Sequence, residues 1–239
     1  MTKTENKEAF NYYQTGRFLL NKGDYAEAIE KFKQAESLGF KNSQLYSSLA
    51  LAYSYIDEEE MASEYAKIAV EKDENNAEAR YCLGVSLFCA GEYSEALENL
   101  ERIYHNPEYK ESICIYMANI YCKTSKFIQA LKYANKALKY ENSYADAYLI
   151  KGEIYYKMGE KDLALKIFLD AFNMGDDDKS LCYISKIYLE KNENTKALKY
   201  MRKLFHFDTE NIDETSQKVR NLNIDELWEL LDHLLKRYD

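Results

Sequence analysis

One proline and eight glycines in 239 residues leave little to interrupt long ordered segments. The chain therefore reads as folded and regular, neither disordered nor collagen-like. Histidine is nearly as scarce: His105, His206 and His233 are far apart, and no His-Glu-x-x-His run exists. Five cysteines cannot all pair with one another, and the pairs Cys82/Cys89 and Cys114/Cys122 are wider than the two-to-four spacing of a metal knuckle. Neither a disulfide framework nor a metal site organises such a chain, and packed thiols are the simpler reading. There is no glycine-rich phosphate loop and no Gly-x-Ser-x-Gly elbow, so no catalytic residue, enzymatic activity or cofactor is expected. The longest nearly apolar stretch, Tyr81 to Gly91, is about half of the roughly 20 residues that a membrane helix needs. The stretch Met1 to Glu8 is polar and lacks the apolar core of a signal peptide, which makes the cytoplasm the expected compartment. With 32 basic against 41 acidic residues the net charge is −9, which on average repels a phosphate backbone. Neither nucleic acid nor membrane is an expected partner.

What the chain does have is a period. Gly16, Ala50, Gly84, Ala118 and Gly152 are small residues spaced by 34, and Ala28, Ala62, Ala96, Ala130 and Ala164 form a second ladder with the same step. A bulky ladder runs through Leu19, Tyr53, Leu87, Tyr121 and Tyr155, and a mostly small one through Ala35, Ala69, Ile103, Ala137 and Ala171. A sixth copy, marked by Ser185, Tyr188, Ala197 and Leu204, comes one residue early. The units span 9–42, 43–76, 77–110, 111–144, 145–177 and 178–211, after a short leading segment 1–8 that is either flexible or an extension of the first helix. Each reads as two helices with a turn at Gly23, Asp57, Gly91, Ser125, Gly159 or Asn192, residues suited to a turn or left-handed backbone. Small rungs let the two helices approach, and bulky rungs fill the space to the next pair, so the apolar faces are buried only by stacking.

The period, the helix-turn-helix unit and the order Leu83-Gly84, Leu87, Tyr93, Ala96, Leu100, Ile103 resemble the tetratricopeptide repeat family over residues 9–211. The resemblance implies an all-α, right-handed α-solenoid. The usual unit-ending proline is replaced by Glu74, Glu108, Asn142 or Asp176, with Pro107 one place early, and polar pairs such as Asn75-Asn76 and Asn142-Ser143 are expected to stop the second helices instead. In the final segment, 212–239, Asn223 with Glu226 reads as a capping box, and Ile224, Leu227, Trp228, Leu231, Leu234, Leu235 and Tyr238 form one apolar stripe. A helix over about 224–238 that caps the solenoid is expected; the alternative is a helix that joins two chains into a homodimer. The run 212–222 fits a short helix or a loop.

Most of the 23 tyrosines are expected in the scaffold, with Tyr53, Tyr121, Tyr155 and Tyr188 on the packing ladder and Tyr25, Tyr93 and Phe127 at the start of second helices. In the family the first helices line a concave groove. The resemblance carries the groove positions onto Tyr13, Arg17, Leu51, Tyr55, Tyr81, Val85, Phe88, Tyr116, Asn119, Lys123, Tyr156, Lys157, Tyr183 and Lys186. The expected function is a non-enzymatic adaptor that holds a peptide segment of a partner protein there, the rings supplying contact area and the lysines taking up acidic groups. The carboxylate clamp of chaperone-tail binders is missing, because Tyr13, Arg17, Ser48, Tyr81 and Val85 stand in its place. Chaperone tails are therefore not the expected ligand.

Overall fold

The computed structural model describes residues 3–140, 144–175, 178–204 and 224–238. Thirteen α-helices and no strands occur among the described residues. They group into two compact units, Met1–Ile120 and Tyr121–Asp239. The first holds α1 (Lys3–Lys22), α2 (Tyr25–Ser37), α3 (Ser43–Ser54), α4 (Glu59–Lys72), α5 (Ala77–Cys89), α6 (Tyr93–Arg102) and most of α7 (Lys110–Lys123). The second holds α8 (Phe127–Ala137), α9 (Tyr144–Lys157), α10 (Lys161–Asn173), α11 (Asp178–Glu190), α12 (Asn194–Leu204) and α13 (Ile224–Tyr238). The chain is thus an all-α helical-repeat solenoid by class. Residues 3–8 are part of α1. The run 212–222, the cap residue Asn223, the end of the sixth unit and the pair Asn142-Ser143 lie outside the described residues.

Helix pairs α1/α2, α3/α4 and α5/α6 pack side by side in the first unit, as do α9/α10 and α11/α12 in the second. The turns within pairs are set by backbone chemistry. Gly23, Asp57, Gly91, Ser125, Gly159 and Asn192 all have positive φ, between 58° and 87°, the left-handed region that a Cβ disfavours. First helices start differently. The Asn42 side chain accepts from the Leu45 amide and that of Asn76 from the Ala79 amide, at 2.9 and 3.1 Å, each satisfying an orphan N–H of the first turn. This corrects the expected role of Asn76: α4 has already ended at Lys72, and Asn76 is the start signal of α5.

The small rungs work by contact distance. A Cβ placed on Gly16 would lie 2.6 Å from the Phe32 ring, one on Gly152 2.6 Å from Phe168, and one on Gly84 2.8 Å from Leu100. The large residue sits sixteen positions after the glycine in each case, whereas sixteen positions after Ala50 and Ala118 come Ala66 and Ala134. The second, fourth and sixth hairpins instead carry a stacked tyrosine pair. These are Tyr53–Tyr65, Tyr121–Tyr133 and Tyr188–Tyr200, with centroids 5.4, 5.6 and 5.7 Å apart. Packing therefore alternates from one hairpin to the next. Of the rings expected in the core, Tyr53 and Tyr188 are buried, while Tyr25, Tyr93, Tyr121, Phe127 and Tyr155 are only half-buried. Four cysteines, Cys82, Cys114, Cys122 and Cys182, are buried and Cys89 is exposed.

Candidate functional site

The first unit encloses a cleft of about 720 Å³ between α1, the first turns of α3 and α5, and the residues preceding α7. Tyr13, Gln14, Arg17 and Phe18 reach it from α1, an arrangement that follows from their i, i+1, i+4, i+5 spacing on one helical face. Arg17 crosses to α5, where its Nη1 donates to Glu78 Oε1 and Oε2 at 3.0 and 3.3 Å, and it also donates to Ser48 Oγ at 3.2 Å. Ser47 donates a 2.6 Å bond to the same carboxylate. The charge of Arg17 is therefore matched inside the cleft, and Tyr13 and Tyr109 bring aromatic surface to its walls.

From Tyr109 a chain of rings continues across the unit. Tyr109 stacks on Tyr81 at 4.9 Å, Tyr81 meets Tyr116 edge-on at 6.1 Å, and Tyr116 meets Phe88 at 5.5 Å. Burial pushes the phenols of Tyr81, Tyr109 and Tyr116 above the ordinary tyrosine range, so at neutral pH these hydroxyls stay protonated and can donate. Val85, Leu51 and Asn119 are half-buried. Tyr13 packs on Phe40 at 4.9 Å, and Tyr55, though exposed, stacks on Tyr25 at 4.5 Å.

The inner-face residues of the second unit are more heavily engaged. Tyr156 donates to Glu190 Oε1 at 2.5 Å, and burial together with that hydrogen bond raises its pKa. Glu153, almost fully buried, pairs with Lys179 at 2.7 Å. Lys186 pairs with Asp232 of α13 at 3.1 Å, Lys123 is half-buried, and Lys157 is exposed. Tyr183 corrects the sequence reading. Only 5% exposed, it stacks face to face on Phe168 with centroids 4.5 Å apart and belongs to the core of the unit. The structure thus gathers Tyr13 and Arg17 in the cleft and Tyr81, Phe88 and Tyr116 in the ring chain, and it encloses Tyr183.

Glu78 and Tyr109 were not foreseen. Glu78 occupies the same unit position as Phe10 and Gln44, so the repeat register carried its signal. Tyr109 precedes α7, where helical periodicity says nothing about direction.

Two segments, residues 11–38 and 117–177, match the Tetratricopeptide repeat family. A TPR repeat-containing protein of Methanocaldococcus jannaschii is 28% identical over 92% of this chain and 42% of its own length. The photosystem I assembly protein Ycf3 of a Synechococcus strain is 37% identical over 29% of this chain, again 42% of its own length. The chain therefore spans about two fifths of the curated relatives it matches. Among solved structures, PilW, a type IV pilus biogenesis factor, superposes with a TM-score of 0.73 at 17% identity, covering 92% of this chain and 100% of that one. YrrB, a TPR protein with an unusual peptide-binding site, gives 0.55 at 20% identity, covering 81% and 100%. These structural likenesses are likenesses of fold. The chain thus carries tetratricopeptide repeats in these two segments. Such repeats generally mediate protein–protein interaction and are generally non-enzymatic. No helix among the described residues is long and apolar enough to cross a membrane.

Proposed function

We propose that this chain is a non-enzymatic adaptor that binds a peptide segment of a partner protein on the inner face of its first helices, with the cleft of the first unit as the principal seat. The observation that carries this reading is the cleft itself, about 720 Å³ in volume, walled by Tyr13, Phe18 and Tyr109 around a charge pair that is already satisfied. A space of that size suits a few residues of extended chain. With Arg17 and Glu78 matched to each other, affinity comes from burying apolar side chains against rings and from hydrogen bonds to neutral groups. Peptide recognition by YrrB, which shares the fold, is consistent with this use of the surface. The buried thiols of Cys82 and Cys122 suit a reducing compartment such as the cytoplasm. The competing reading, self-association through α13, is disfavoured because Leu231 and Leu235 of its stripe are already buried within the chain.

Selection from a random peptide display library on the full chain, followed by calorimetry with the selected peptide, tests the proposal. Tyr13→Ala combined with Tyr109→Ala is expected to weaken binding at least tenfold, as loss of two anchoring rings should. A peptide that binds the double variant as tightly as the natural chain removes the cleft from the function.

A further inference from the structure

The first helices of the first unit keep part of their inner face open: Leu51, Tyr81, Val85 and Phe88 are only half-buried. Helix α11 has nine buried residues between Ser180 and Leu189, as many as α3; what distinguishes it is that, beside α10 and α12, it packs against α13. The contact made by α13 is amphipathic. Leu231 and Leu235 are fully or almost fully buried, Trp228 and Leu234 pack against the same cluster, and Asp232 reaches Lys186 at 3.1 Å. Asp232 is close enough to Tyr156 to help raise its pKa. Lys186 and Tyr156 both occupy inner-face positions of their repeats, so the chain's own last helix sits where a ligand of the second unit would sit. A first helix that continues a stack meets the second helix of the preceding pair, as α3 meets α2, α5 meets α4, α9 meets α8 and α11 meets α10, whereas the contacts of α13 are concentrated on α11 and not on α12.

We propose that α13 is a built-in occupant of the inner face of α11, and that the external partner of this face is an amphipathic helix bearing a carboxylate, which takes the place of α13. The chemistry of the partner is read from the helix already seated there. Apolar residues spaced i, i+3 and i+7, as Trp228, Leu231 and Leu235 are, fill the apolar strip, and an acidic side chain beside them meets Lys186. The intramolecular helix has the advantage of a high effective concentration. That advantage offsets a docking contact in which the carboxylate that meets Lys186 is shared with Lys236 at 3.0 Å. A partner therefore succeeds where it matches this pattern better or where α13 is drawn away. The proposal concerns a different face from the cleft of the first unit, and its failure would leave the cleft reading untouched.

The probe is a fluorescent synthetic peptide with the sequence of Ile224–Tyr238, titrated into full-length chains and followed by anisotropy. Binding to the Leu231→Asp/Leu235→Asp chain is expected to be at least tenfold tighter than to the natural chain. Adding Lys186→Asp to that variant should weaken binding at least fivefold, and a probe carrying Asp232→Lys should recover it. Equal binding to the natural and opened chains overturns the proposal, as does dimerisation of the opened chain in sedimentation, which would assign the face to a second copy. Should the opened variant lose its helical circular dichroism, the natural chain decides. Millimolar probe is then expected to speed hydrogen exchange in α13 while α11 stays protected, and unchanged exchange in α13 counts against displacement.

Discussion

Arg17 Nη1 lies 3.0 Å from Glu78 Oε1, joining the first helix of the first hairpin to the first helix of the third across the mouth of a cleft. The two residues are 61 positions apart, and the serines at 47 and 48 on the helix between them complete the contact. The pair ties α1 to α5 and leaves Glu108 as the remaining formal charge in the cleft lining.

Because Glu78 is mostly buried while Arg17 is about a third exposed, Arg17→Ala and Glu78→Ala should each destabilise, and the double variant should lose less than their sum. A coupling of about 1 kcal/mol is expected for a partly solvated pair. Urea unfolding of the four chains gives the number directly, and strict additivity would mean that the pair contributes nothing.

Gly152→Ala is expected to cost about 1–3 kcal/mol, since its new methyl group would overlap the Phe168 ring, 2.6 Å away. Phe168→Ala alone should cost about 3–5 kcal/mol through the cavity it leaves. Together the two changes recreate the Ala/Ala combination of the second and fourth hairpins, so their combined cost should fall clearly below the sum. Thermal unfolding of the set settles the matter.

Ser125 holds a φ of 58° with no glycine to ease it. Ser125→Gly should therefore stabilise by up to about 1 kcal/mol, the relief of left-handed strain exceeding the added freedom of the unfolded chain. Asn192→Gly should gain less, because asparagine tolerates this region better. A fall in melting temperature for Ser125→Gly would contradict the argument.

Burial, and next to it the 3.0 Å hydrogen bond to Glu36, push the Tyr46 phenol up to about 12 from its ordinary 10. The folded state holds this proton more firmly than the unfolded chain. Stability from it is thus complete below pH 10 and lost as pH climbs from 10 to 12. Melting temperatures at pH 9, 10.5 and 12 should fall more steeply for the natural chain than for Tyr46→Phe.

The helices and turns were readable because both follow from local rules: φ > 0 was assignable at Ser125 and Asn192 from their place in the period alone. The inner face was readable only in part. Helical register brings Tyr13 and Arg17 to the cleft, but whether a ring on that face stays open depends on what lies opposite. Phe168 closes over Tyr183 from the neighbouring hairpin, and α13 closes over Lys186 from 46 residues away. Those are tertiary facts without a periodic signature. The alternation of hairpin types was visible as letters, yet it acquires meaning only from the distance between Gly16 and the Phe32 ring.

That alternation sets a rule for anyone lengthening or shortening this protein. Over the first five hairpins a glycine helix faces a phenylalanine or leucine helix and an alanine helix faces another alanine helix, so the exchangeable cassette is a whole hairpin, and the natural increment is two hairpins, 68 residues. Grafts cut between the helices of a hairpin would join halves of unlike kind, and chimaeras made that way should be the ones that fail to express.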